Sequence, residues 1–175
     1  MGTLTSARMG AVRAFDSRNG LDQKDLEAGW DPSAKVYVVD DDESIRLVMQ
    51  GLMEMNGIGV ATFASAEEFL AFYRPEFLGC LLLDVHMPGM GGFELQELLA
   101  TKLIFLPIIF FTAEGTIPKA VRALKMGAVD FIEKPFDYRE VCERLRQSLR
   151  LDARMRKQKN VRHEAACRLA TLTQR

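Results

Sequence analysis

The chain has 175 residues, 48% of them hydrophobic and 27% charged, which fits about one globular domain and excludes a wholly disordered polymer. Its net charge of −1 is an average over unlike parts: residues 1–34 carry 4 basic and 5 acidic side chains, residues 35–150 carry 12 and 17, and residues 151–175 carry 7 and 2. An acidic middle is thus followed by a basic tail.

In the head, Arg8, Arg13 and Arg18 are not followed by a continuous apolar run, so residues 1–34 read as a solvated extension rather than a secretory signal. The longest uncharged apolar stretch, Leu103 to Ala113, is broken by Pro107 and falls short of the roughly 20 residues that cross a bilayer, so no membrane span is expected. Cys80, Cys142 and Cys167 show no CxxC spacing and form no disulfide framework, which points to a reducing cytoplasm.

From Lys35 the chain alternates short apolar runs with amphipathic stretches. The runs Lys35 to Val39, Gly59 to Phe63, Gly79 to Leu83, Ile108 to Phe111 and Val129 to Ile132 are strand-sized. Between them, Ile45, Val48, Leu52 and Met55 recur at helical spacing, as do Phe93, Leu95, Leu98 and Leu99, then Val121, Leu124 and Lys125. Ser65 and Asp137 each precede a Glu by three positions, the pattern of a capping box, and Pro118 suits a first helical turn. The order βαβαβαβαβα predicts a flavodoxin-like, doubly wound (βα)5 α/β fold over residues 35–150. Its parallel sheet has the order 2-1-3-4-5, with helices on both faces. Ligands of such sheets bind beyond the strand carboxyl ends, at the switch point between the first and third strands.

The first strand runs into Asp40-Asp41-Asp42-Glu43 and the third into Asp84, so carboxylates converge on that switch point. A strand-terminal acid commonly caps a turn, and Asp42 suits that role. The others repel one another unless a cation is near, and an all-oxygen donor set without a Cys or His cluster favours Mg²⁺. A metal beside a carboxylate suggests phosphoryl chemistry. The fourth strand brings Thr112 to the same rim and the fifth brings Lys134. Either alone reads as a turn residue, but together they read as a site.

Over residues 35–150 the sequence closely resembles the receiver domain of two-component response regulators, of the FixJ-like type. The resemblance rests on Val38-Val39-Asp40-Asp41-Asp42-Glu43, on Asp84-Val85-His86-Met87-Pro88-Gly89-Met90-Gly91-Gly92, on Thr112-Ala113, and on Gly127 through Phe136 with Lys134-Pro135. It implies that Asp84 accepts a phosphoryl group from a sensor histidine kinase. It also implies that Asp40, Asp41, Asp84 and the backbone carbonyl of His86 hold Mg²⁺. Thr112 would be the switch hydroxyl, Lys134 the ionic partner of the phosphoryl group, and Phe131 the aromatic that turns with Thr112. The resemblance further implies a cis peptide before Pro135 and a phosphorylation-dependent homodimer through the fourth helix and fifth strand. Its activity would be confined to self-phosphorylation and autodephosphorylation. His86 and Glu114, each two residues past a site residue, lie where they would govern the access of water.

Other classes fit less well. An aspartate-nucleophile phosphatase wants an acid where His86 stands, a flavodoxin wants a glycine- and hydroxyl-rich loop where Asp40-Asp41-Asp42 stands, and an NTPase wants GxxxxGK[ST], which is absent. Residues 151–175 read as a basic helical linker, and Arg168 to Arg175 resembles the entry to a LuxR-type helix-turn-helix domain. DNA reading through that linker would need the output domain, which this sequence lacks, so a DNA-binding transcriptional regulator fragment stands as the alternative.

Overall fold

The computed structural model describes residues 29–172. Most of the head, residues 173–175 and the side chains of His163, Cys167, Leu169 and Leu172 lie outside the described set. Ten elements alternate strictly: β1 (Lys35–Val39), α1 (Glu43–Met55), β2 (Gly59–Phe63), α2 (Ala66–Phe72), β3 (Gly79–Leu83), α3 (Gly92–Thr101), β4 (Ile108–Thr112), α4 (Ile117–Lys125), β5 (Asp130–Glu133) and α5 (Tyr138–Leu172). The five strands form one sheet in the order β2-β1-β3-β4-β5, and every pairing is parallel.

The alternation of side chains along each strand builds two cores. Tyr37, Val39, Leu81, Leu83 and Phe110 face one side, against Phe69 of α2, Leu95 and Leu99 of α3, and Ala123 of α4. Val36, Val38, Cys80, Leu82, Ile109 and Phe111 face the other, against Met49 and Met53 of α1 and Val141, Leu145 and Leu149 of α5. β1, β3 and β4 are buried on both faces, which is why their sequences read as unbroken apolar runs.

Helix starts follow their caps. Asp42 accepts the Ser44 amide at the head of α1, Ser65 accepts that of Glu68 at α2, and the Glu68 carboxylate returns to the Ala64 amide. Thr116 caps α4 and Pro118 sits in its first turn.

Two helix faces differ from the sequence pattern. In α1 the buried stripe is Met49 and Met53, with Ile45 and Leu52 partly buried, while Val48 and Met55 are exposed. The helix is apolar around much of its girth, so two stripes compete and the sheet selects one. In α4, Val121 and Leu124 are exposed and only Ala123 is buried, because the helix rests on its small residue and leaves its larger ones outward. β5 begins at Asp130, one residue later than the apolar run suggests.

Helix α5 is 35 residues long, and its contacts with the domain continue past residue 150. Asp152 is buried and accepts the Gly79 amide at 3.0 Å; Arg156 bonds both Asp152 oxygens at 2.9 Å and donates to the Phe77 carbonyl at 2.5 Å. Trp30 packs on the same side of the sheet, with the Arg150 guanidinium 5.5 Å from its ring centroid. Among the described residues no helix is long and apolar enough to cross a membrane.

Candidate functional site at the strand carboxyl ends

Parallel strands in this order deliver their last residues to one rim, and β1, β3 and β4 lie side by side there. Asp40 follows β1, Asp84 follows β3 and Thr112 ends β4; all three are buried. Lys134 follows β5 and reaches back across the rim. Its ammonium lies 2.6 Å from Asp40 Oδ2 and 3.2 Å from Asp84 Oδ1. It also sits 4.6 Å from the centroid of the Phe111 ring, and the Lys134-Pro135 peptide is cis.

The charges do not balance: two buried carboxylates share one ammonium. Burial pushes the Asp40 carboxyl above its usual range and Asp84 adds repulsion, while Lys134 and the Asp42 amide pull it down. Oxygen donors set in a buried rim with an excess of negative charge are the chemistry a hard divalent cation uses, so the residues fit Mg²⁺. Asp41 is exposed, however, and among the described residues no group of three or more His, Cys, Asp or Glu side chains is drawn together as a metal-holding set. Lys134 rather than a third carboxylate bridges Asp40 and Asp84.

The loops around the rim hold it in shape. The His86 amide donates to Asp84 Oδ2 at 2.7 Å, holding that carboxylate oxygen from the loop that follows β3. The Glu114 amide donates to Thr112 Oγ1 at 3.3 Å, linking the hydroxyl to the next loop. Gly92 is where it is because a Cβ there would lie 2.2 Å from the Asp84 carbonyl oxygen; any larger residue would move the loop that carries Asp84. Phe131 is partly buried, packs at the edge of the first core and lies 6.3 Å from Phe110, ring to ring.

Sequence reasoning named Asp40, Asp84, Thr112 and Lys134, and the fold brings them together. It did not find Arg46, which donates to the Asp40 and Asp41 carbonyls at 2.7 and 2.9 Å, or Lys119, whose ammonium lies 3.2 Å from His86 Nε2 and 3.2 Å from the Glu114 carbonyl oxygen. Arg46 could have been flagged by its place one turn into the helix that follows the acidic loop. No local pattern marks Lys119.

Residues 36–146 match the response regulator receiver domain family. The chain is 39% identical over 143 residues to the transcriptional regulatory protein FixJ of Azorhizobium caulinodans, covering 82% of this chain and 68% of that protein. It is 46% identical over 110 residues to nodulation protein W of Bradyrhizobium diazoefficiens, covering 63% of this chain but 48% of that one, so it spans roughly half to two thirds of these relatives. Among solved structures, that of the response regulator StyR superposes with a TM-score of 0.76 at 41% identity, covering 80% of this chain and 71% of that one. From the sheet order, the converging rim and these matches, the chain belongs to the response-regulator receiver family.

Proposed function

We propose that this chain is a phosphorylation-driven switch in the cytoplasm, taking a phosphoryl group from a sensor histidine kinase onto Asp84 and losing it by autodephosphorylation, without turning over a separate substrate. The observation that carries the reading is the shared ammonium: Lys134 holds Asp84 Oδ1 and Asp40 Oδ2 at the carboxyl ends of adjacent strands, beside the Thr112 hydroxyl.

The chemistry follows from those positions. An Asp84 oxygen attacks phosphorus, its bond to the donor breaks, and the donor's histidine nitrogen leaves with the electron pair. Mg²⁺, held by Asp40, Asp41, Asp84 and the His86 carbonyl, would neutralise charge on the phosphoryl oxygens. Lys134 then exchanges part of its contact with Asp84 for a phosphoryl oxygen, and the Thr112 hydroxyl donates to another. Moving Thr112 pulls on the Glu114 amide bound to it and leaves room beside Phe131. The readout is a population shift of the α4 and β5 face, whose exposed Ile117, Val121 and Leu124 suit a homodimer contact. Any action on DNA would run through a further output domain.

Asp84→Asn is expected to abolish labelling by acetyl phosphate or kinase; full labelling of that variant overturns the assignment. Sizing the protein with and without beryllofluoride plus Mg²⁺ tests the dimer: an unchanged mass removes it.

A further inference from the structure

Lys119 stands in the first turn of α4, where the helix dipole favours acids, and α4 has no acid there. A cation in that place is mildly disfavoured, and its side chain turns away from the helix to three partners. The ammonium meets His86 Nε2 at 3.2 Å, the Glu114 carbonyl oxygen at 3.2 Å and Glu114 Oε2 at 3.5 Å. Because the ammonium can only donate, His86 accepts at Nε2 and carries its proton on Nδ1. Glu114 Oε2 also lies 3.7 Å from that nitrogen; both are acceptors in this tautomer, so the ammonium between them is what holds them together. Arg122, one turn further along α4, is held elsewhere, 3.1 Å from Glu97 and 4.6 Å from the centroid of the Phe93 ring.

Both loop partners are wired to the chemistry by their own backbone. The His86 amide holds Asp84, and the Glu114 amide holds Thr112. Lys119 therefore ties the loop of the acceptor, the loop of the hydroxyl and the first turn of α4 into one bridge across the mouth of the rim. We propose that Lys119 is a positioning residue that sets the lifetime of the phosphoryl group, by keeping His86 and Glu114 closed over the path of attacking water. The proposal rests on the assignment of Asp84 above. In the step it governs, a water oxygen bonds to phosphorus and the phosphorus–oxygen bond to Asp84 breaks. The carboxylate is regenerated and phosphate leaves with the water's protons.

The test labels the full chain with radioactive acetyl phosphate and Mg²⁺, removes the donor and follows the decay. Lys119→Met keeps the aliphatic stem and removes the ammonium. Decay is expected to quicken about two- to fivefold, the range of an exposed ion-pair network, with an unchanged urea midpoint. Lys119→Arg is expected to stay within about twofold of the parent, since it keeps the charge. In a His86→Ala, Glu114→Ala background, Lys119→Met is expected to add nothing, and the imidazole ¹⁵N resonances of His86 should move in Lys119→Met alone. Unchanged or slower decay overturns the proposal, as does an equal acceleration in the double-alanine background. A parent protein that takes up no label overturns instead the reading of Asp84.

Discussion

Buried aspartates sit at both ends of the same sheet, Asp152 at one and Asp40 with Asp84 at the other, and the two ends behave differently. At the foot, Asp152 accepts from the Gly79 amide and from Arg156, whose Nε–H is shared between both carboxylate oxygens while Nη2 donates to the Phe77 carbonyl; the charges match one to one. At the rim, Asp40 and Asp84 divide one lysine between them. The foot is a closed network that fastens α5 to the start of β3. The rim is an open one, left with more acid than base. The lesson is that a buried carboxylate marks a site when its neighbourhood leaves charge unanswered, and marks scaffolding when it does not.

The largest effect is expected at the closed end. Asp152→Ala leaves the Gly79 amide buried without an acceptor and strands Arg156, and should cost about 2–3 kcal/mol, discounted for the partly exposed guanidinium. Urea unfolding measures it; a loss no larger than at an ordinary surface position would erase the distinction between the two ends. At the open end the sign reverses. Asp40→Asn removes the negative charge in excess of the single ammonium, leaving Lys134 paired with Asp84, and should raise stability by about 1 kcal/mol. It should also abolish the stabilisation of the parent protein by added Mg²⁺, read as a melting temperature that no longer responds to the ion.

The foot also titrates. Burial pushes the Tyr37 hydroxyl up to about 12, and that hydroxyl donates to the Leu78 carbonyl at 3.1 Å. A raised folded-state value favours the neutral phenol, so its contribution is complete below the unfolded value near pH 10 and is lost between there and about pH 12. Tyr37→Phe should flatten that alkaline limb and remove the latest-titrating step from the absorbance at 295 nm; an unchanged limb would place the ionising group elsewhere. Smallest of all, Arg122→Ala breaks an exposed pair with Glu97 and should shift stability by no more than about 0.5–1 kcal/mol in denaturant.

The two ends were also unequally legible in the sequence. Asp40, Asp84, Thr112 and Lys134 could be placed because each follows an apolar run, and parallel topology sends all such ends to one rim. Asp152 offered no such handle: it lies among basic residues, in a segment that reads as solvated, and its partner Gly79 is 73 positions away. Gly79 itself adopts φ +136°, and a Cβ there would strike the Lys35 carbonyl, a constraint visible only once β1 and β3 are paired. Lys119 and Arg46 escaped for a related reason: long flexible side chains choose partners by tertiary proximity, which local spacing does not encode. Helix faces failed differently. Ile45, Val48, Leu52 and Met55 satisfy the helical period as well as the stripe that the sheet covers, so periodicity establishes the element but not its rotation.

Beyond its fastening at Arg156, α5 runs on for 16 further residues of continuous helix, to Leu172. At about 1.5 Å per residue this is a stiff mast of roughly 24 Å, so a tilt of about 10° at its root sweeps the far end through about 4 Å. Its root is braced by the start of β3, the strand whose other end leads into Asp84. A small rearrangement of the sheet thus has a built-in amplifier, and whatever is joined to the mast feels displacement rather than chemistry.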